Sequence, residues 1–114
     1  MTDTDMVRHL AVAVMGWTLR EYGTLGALAF PDPKVMNGYD LGLPRHGVST
    51  WWPLTDLEAA DKLLAALRGK GWRIKLEWDD PQWEATVQDS VGVHYDSWLR
   101  ALCIAAYMAT KDDA

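Results

Sequence analysis

The sequence predicts a single α+β domain built as a layered helix–antiparallel sheet–helix sandwich. Three segments carry apolar residues at helical spacing, and two adjacent segments between the second and the third alternate strictly between apolar and polar residues. The length of 114 residues, with 49% hydrophobic and 24% charged residues, is ordinary for one globular domain. Residues 1–114 are therefore expected to share one hydrophobic core.

The first helix is predicted over residues 4–15, where apolar residues recur every three or four positions. We expect Asp3 or Thr4 to cap its N-terminus. Gly16 is expected to end the helix in the left-handed conformation, so that Trp17 folds back on the last turn.

Residues 18–54 are predicted to form a long loop region, because glycine and proline recur throughout it. Short strands are expected within residues 25–30 and 48–52. A connection of this length inside a small domain usually carries a function.

The second helix is predicted over residues 55–68. Thr55 and Glu58 have the spacing of a capping box, and Gly69 or Gly71 is expected to end the helix. The side chains that should form its buried stripe are Leu57, Ala60, Leu63, Leu64 and Leu67.

Residues 72–78 and 83–88 are predicted to pair as an antiparallel hairpin, with Trp72, Trp78 and Trp83 buried under the helices. Asp79 and Asp80 precede a proline, and a turn explains them without a bound cation. The last helix is predicted over residues 96–110, capped by Asp96 or Ser97. The helices are expected either to cover one face of the sheet or to divide between both faces.

Charge and composition exclude several classes of function. The net charge of −5 argues against a protein that binds duplex nucleic acid. The single cysteine, Cys103, forms no intramolecular disulfide, and no apolar run has the roughly 20 residues of a membrane span, so we expect a cytoplasmic protein. His9, His46 and His94 are scattered, and no nucleophile or phosphate-loop motif is present. We expect no metal, no cofactor and no catalytic residue.

Several short motifs together resemble a known family. The most specific is ALCIAAY at residues 101–107, and the others include Val14, Met15, Gly16, Trp17, Ser49, Thr50, Trp51, Ala59, Ala60, Gly71, Trp72 and Trp83. In this order they are similar to the phage ABA sandwich domain, a family of small phage and prophage proteins, over most of the chain. The sequence departs from the family at residues 51–53, where one aromatic residue is more usual than two. The resemblance implies a helix–sheet–helix layered fold and a phage origin, and it implies no catalytic residues.

The candidate binding site lies in the loop region. Neighbouring side chains of an extended segment point in opposite directions, so one of Trp51 and Trp52 is expected to be buried and the other to be exposed or to cover a pocket. Aromatic stacking with one or two cations suits a small anionic nucleotide. The predicted ligand-binding residues are Arg20, Tyr39, Arg45, His46, Ser49, Thr50, Trp51 and Trp52.

We therefore expect a phage-type binding protein that captures a small nucleotide-like signal in the host cell as a counter-defence. The alternative is a protein–protein interaction or assembly module without a small ligand. The apolar last helix and the surplus of tryptophan, seven residues against one Phe, would then supply a homo-oligomer surface.

Overall fold

The chain folds into three helices and six strands. A computed structural model describes residues 2–21, 26–32, 34, 38–41, 50–88 and 92–111. In chain order the elements are α1 (Asp3–Ala13), β1 (Thr18–Glu21), β2 (Ala27–Phe30), β3 (Tyr39–Asp40), α2 (Leu57–Gly69), β4 (Ile74–Asp79), β5 (Gln82–Val87), β6 (Val93–Tyr95) and α3 (Trp98–Thr110).

The strands form two antiparallel sheets of three strands each, in the orders β1–β2–β3 and β4–β5–β6. Helix α3 packs against β5 and β6 on one side and against α1 on another, while α1 also contacts β1. The predicted α+β class, with helices layered on antiparallel sheet, is confirmed. Of the two arrangements left open, the β4–β5–β6 sheet adopts the first: α3 covers one face, and the side chains of Lys75, Glu77 and His94 on the other face are exposed.

The core is centred on α3, whose small residues allow close packing. Ala101, Leu102, Cys103, Ala105 and Ala106 have no exposed surface. Small side chains bring the helix axis near both the sheet and α1, and the larger side chains of those neighbours fill the remaining space. The small apolar residues of α3 are therefore used inside the fold.

Helix α1 begins one residue earlier than predicted, and Thr2 caps it. The Thr2 hydroxyl accepts a hydrogen bond from the Asp5 amide at 3.1 Å, and the Thr2 amide donates to the Asp5 carboxylate at 3.3 Å, which completes a capping box. Gly16 has φ of +71°, and the Trp17 amide donates to the Ala11 carbonyl at 2.9 Å. The left-handed conformation of Gly16 and the return of Trp17 are as predicted, but α1 ends at Ala13 with Val14 as its C-cap, two residues earlier than predicted.

Helix α2 is capped by Asp56 rather than by Thr55. The Asp56 carboxylate accepts a hydrogen bond from the Glu58 amide at 3.2 Å, so the capping box predicted for Thr55 and Glu58 is wrong. Leu57 then becomes the first helical residue and is 60% exposed, which corrects its assignment to the buried stripe. Ala60, Leu63 and Leu67 are fully buried as predicted, and Leu64 is partly buried.

Three strands lie inside the predicted loop region. The strand expected within residues 25–30 is present as β2. Strands β1 and β3, of four and two residues, correct the prediction of a loop at those positions. Of the strand expected within residues 48–52, residues 48–49 lie outside the described residues. Thr50 makes an isolated parallel bridge with Asp40, and the Trp51 amide donates to the Asp40 carbonyl at 3.3 Å.

The predicted hairpin is confirmed, with Trp78 opposite Trp83 in its register. The predicted burial of Trp78 is wrong, because its side chain is 55% exposed, and Trp72 and Trp83 are only partly buried. Helix α3 packs mainly on β5 and β6, and β4 lies at the opposite edge of the sheet from β6. Within the part of the chain that the structure describes, no helix has the length and apolar character needed to cross a membrane.

Candidate functional site

Three aromatic rings meet where β3 approaches α2. Trp17 stacks on Tyr39 with ring centroids 5.1 Å apart and planes 9° from parallel, and it meets Trp51 edge to face at 4.9 Å. Trp17 reaches this place because it folds back over the end of α1, and Trp51 because its backbone is bonded to β3. The cluster therefore joins the first helix, the first sheet and the segment that leads into α2.

A cavity of about 350 Å³ lies beside this cluster. Its volume is within the range of small-molecule sites. The residues that line it are Tyr39, Thr50, Trp51, Asp56, Glu58, Ala59 and Lys62. Because Asp56, Glu58 and Lys62 are exposed residues of α2 and its cap, the cavity is open to solvent on the α2 side.

Trp51 is the buried wall of the cavity, with only 1% of its surface exposed. Its indole Nε1 is buried and has no hydrogen-bond partner among the residues that the structure describes. A buried donor without an acceptor costs about 1–3 kcal/mol. Among the described residues, Trp51 therefore contributes to this wall a buried donor that has no acceptor.

The charged groups of the cavity come from the first two turns of α2. The Lys62 ammonium lies 5.5 Å from the centre of the Tyr39 ring and 3.5 Å from its hydroxyl. Asp56 and Glu58 contribute two carboxylates, of which the Asp56 oxygen Oδ1 already caps the helix. Among the described lining residues, one cation thus faces two anions. This balance favours a ligand that has hydrogen-bonding groups and little negative charge of its own.

The structure brings together Tyr39, Thr50 and Trp51 of the predicted site. Trp52 is partly buried and packs against the core, so Trp51 is the buried member of the pair and Trp52 the more exposed one, as strand-like alternation predicts. Arg45, His46 and Ser49 lie outside the described residues. Trp51 is more buried than Trp78, so the expectation that the indoles of the hairpin are buried fails at Trp78.

Arg20 is not brought to the cavity. In the register of the first sheet, Arg20 pairs with Leu28, which pairs with Asp40. Tyr39 pairs with Ala29, the residue next to Leu28. Alternate residues of a strand face opposite sides of the sheet, so Arg20 and Tyr39 lie on opposite faces. The Arg20 guanidinium lies 6.0 Å from the Phe30 ring centre instead. Its assignment to the same site as Tyr39 is corrected.

Sequence reasoning missed five residues of this region. Trp17 was assigned only to the end of a helix and Glu58 only to a helix cap, and Asp56, Ala59 and Lys62 were given no role in a site. One signal was available: on a helix that begins near residue 56, positions 58, 59 and 62 lie within about one turn of each other. The sequence could not show that β3 packs beside these positions of α2, because Tyr39 lies 23 positions from Lys62 in the chain.

A second cluster of polar side chains lies on the open face of the β4–β5–β6 sheet. His94 Nε2 lies 2.8 Å from Glu84 Oε2 and 3.6 Å from Asp79 Oδ2. One ligand atom from each of the three residues lies within 4.8 Å of the other two. Sequence reasoning attributed Asp79 to a turn and found the histidines scattered, because the three residues come from three different strands.

Comparison with family models, with characterised proteins and with solved structures gives no match for this chain. The resemblance to the phage ABA sandwich domain therefore stays a prediction.

Proposed function

We propose that this protein is a binding protein that holds a small nucleotide-like ligand in the cavity between β3 and α2. The observation that carries the proposal is the buried Trp51 N–H, which has no partner among the described residues although Trp51 lines the cavity. A carbonyl or ring nitrogen of a nucleobase is an acceptor of the required kind. The phage origin and the role in the host cytoplasm are parts of the same proposal and rest on the sequence resemblance alone.

The other lining groups suit the remaining parts of a nucleoside. Carboxylates such as Asp56 and Glu58 accept hydrogen bonds from ribose hydroxyls, as acidic residues do in dinucleotide-binding sites. Lys62 offers one ammonium group for one phosphate. Since the same wall carries two carboxylates, a nucleoside or a nucleoside monophosphate fits the charge better than a di- or triphosphate.

Calorimetric titration tests this proposal. The panel consists of the common nucleosides, their 5′-monophosphates and their cyclic monophosphates, titrated into protein at about 100 µM so that micromolar affinities are detected. We expect a heat of binding for the compounds of at least one nucleobase. Absence of heat with every compound would refute the proposal.

Two variants and one matched control locate the binding. Trp51→Phe removes the N–H and keeps an aromatic ring, and we expect it to weaken binding about tenfold, the effect of losing one hydrogen bond of about 1.4 kcal/mol. Lys62→Gln should weaken the monophosphate and leave the nucleoside nearly unaffected. Lys70→Gln is the control, because Lys70 lies exposed at the other end of α2. If Lys70→Gln has the same effect as Lys62→Gln, the cation acts through general charge and the assignment to the cavity is wrong.

The assembly module remains the second candidate, and one observation favours it. Trp78, Trp83 and Tyr95 occupy paired positions in a row across β4, β5 and β6, and Trp78 and Tyr95 are exposed. Exposed aromatic rows are typical of protein interfaces. A dimer mass in light scattering that reverts to the monomer mass in Trp78→Ser would support a homo-oligomer. A monomer mass for the unmodified protein would count against it.

A further inference from the structure

The open face of the β4–β5–β6 sheet carries a set of side chains that matches a metal-binding site. Asp79 ends β4, Glu84 lies in β5, and His94 lies in β6. Glu84 and His94 are direct partners in the register of the sheet, and side chains at directly opposite positions of one face are close neighbours. One imidazole and two carboxylates thus converge from three adjacent strands of a regular sheet.

The distances suit coordination of one ion. Ligand atoms bound at about 2.0–2.2 Å to a tetrahedral or octahedral ion lie roughly 3.0–3.5 Å from each other. The His94 Nε2 atom is 2.8 Å from Glu84 Oε2 and 3.6 Å from Asp79 Oδ2. Small side-chain rotations would therefore place these atoms around an ion. All three side chains are at least partly exposed, so an ion reaches them directly from solvent.

The position of the Glu84 carboxylate depends on a glycine. A Cβ atom on Gly92 would lie 3.2 Å from both the carboxylate carbon and Oε1 of Glu84. Such a contact is tighter than nearly all real Cβ contacts, so a side chain at residue 92 would require the carboxylate to move. Gly92 therefore leaves the Glu84 carboxylate in place beside His94.

The charge around the cluster also favours a cation. Glu77 lies directly opposite Glu84 in the register, and two like charges at such positions repel each other. Lys75 lies 3.4 Å from the Glu77 carboxylate and offsets part of that charge. A bound cation beside Glu84 would reduce the repulsion further.

We propose that Asp79, Glu84 and His94 form a binding site for a divalent first-row transition-metal ion such as Zn²⁺. The imidazole nitrogen distinguishes this set from an ordinary acidic surface, because imidazole suits Zn²⁺, Ni²⁺ and Cu²⁺, whereas Mg²⁺ and Ca²⁺ prefer oxygen ligands alone. Three protein ligands leave at least one position of a four-coordinate ion for water or for another ligand.

Titration calorimetry with Zn²⁺, Mg²⁺ and Ca²⁺ on chelator-treated full-length protein tests the site. We expect Zn²⁺ to bind at one equivalent and to raise the unfolding temperature, since an ion that binds only the folded state stabilises it. Neither Mg²⁺ nor Ca²⁺ should bind comparably. The proposal is overturned if Zn²⁺ does not bind up to roughly millimolar concentration or if Mg²⁺ binds as strongly.

Substitutions separate ligation from general attraction by charge. His94→Gln and Glu84→Gln should each weaken Zn²⁺ binding at least about tenfold. Glu77→Gln is the matched control, because it removes a charge from the same face without removing a ligand, and it should weaken binding less than about threefold. Equal losses in Glu77→Gln and Glu84→Gln, or unchanged binding in His94→Gln, would mean that no such site exists.

A measurement on the unmodified protein covers the case in which a variant does not fold. Coordination through Nε2 changes the NMR signals of the His94 ring on addition of one equivalent of Zn²⁺. The same addition should leave the His9 ring unchanged, since His9 Nε2 is bonded to Thr110 at 3.0 Å. A His94 ring that does not respond would overturn the proposal.

Discussion

Replacing two tryptophans by alanine tests the assignment of Trp51 as the buried residue and Trp78 as the exposed one. Both substitutions remove the same side chain, and only the surroundings differ. Trp51 is 1% exposed, whereas Trp78 is 55% exposed and lies edge to face with Trp83 at 5.5 Å. Any difference in stability between the two variants therefore reports the packing at each position.

The expected losses follow from this packing. Removing a fully buried aromatic ring costs about 3–5 kcal/mol. At Trp51 the substitution also removes a buried N–H that has no partner among the described residues, which offsets part of that cost. We therefore expect a loss near the lower end, about 3 kcal/mol. At Trp78 we expect about 1 kcal/mol, the size of one aromatic pair interaction. Against a total stability of about 5–15 kcal/mol, only the first loss threatens folding.

Urea unfolding followed by circular dichroism measures both losses. Circular dichroism is preferred over fluorescence because each variant lacks one fluorophore. The slope of the unfolding free energy against urea should stay constant among the proteins, so that shifts of the midpoint report stability. Equal losses, or a larger loss for Trp78→Ala, would refute the reasoning about burial.

Three further outcomes are expected. Gly71 has φ of +77° and Gly69 does not lie in that region, while a Cβ meets nothing at either position. Gly71→Ala should therefore destabilise the protein by about 1–2 kcal/mol, and Gly69→Ala should stabilise it by about 0.5–1 kcal/mol. Urea midpoints that shift in the same direction in both variants would contradict this. Burial raises the pKa of the Cys103 thiol to about 12, so a thiol reagent at pH 8 should label the protein only after unfolding in guanidinium chloride, and rapid labelling of the native protein would show that the thiol is accessible. The hydrogen bonds from Arg100 to Asp3, at 3.2 and 3.0 Å, lower the pKa of Asp3, so their stabilisation is present above the unfolded-state pKa and is lost as pH falls through the lowered native pKa. Because solvent screens this pair, Asp3→Asn should cost under about 1 kcal/mol at pH 7 and less at pH 3, and a cost that does not decrease with acid would contradict the assignment.

Local patterns predicted those elements whose residues interact with near neighbours in the chain. The hairpin of β4 and β5 follows from strict alternation and a short turn, and the predicted antiparallel pairing is confirmed. Gly16 adopts the left-handed conformation just after α1, as its position predicts, because glycine reaches a positive φ without strain. The N-cap of α2 was misassigned, because Thr55 and Asp56 are both residue types that cap helices well. The choice depends on the turn before the helix, in which the Thr55 and Asp56 amides both donate to the Trp52 carbonyl.

The candidate site depended on contacts between distant parts of the chain. The cavity brings together Tyr39, Trp51 and Lys62. They meet because Thr50 forms a β-bridge with Asp40 of β3, which places the segment leading into α2 beside that strand. The cluster of Asp79, Glu84 and His94 needs β6, a strand of three residues that has too few residues for a recognisable pattern.

By itself the sequence determined the three helices, the central hairpin and the α+β class, because periodicity and turn chemistry act over a few residues. Only the tertiary structure decided which indole is dry and which polar groups meet. Burial depends on what packs over a residue, and α3 packs mainly on β5 and β6, while Trp78 of β4 remains exposed. The same packing leaves the opposite face of that sheet open, with His94 beside two carboxylates.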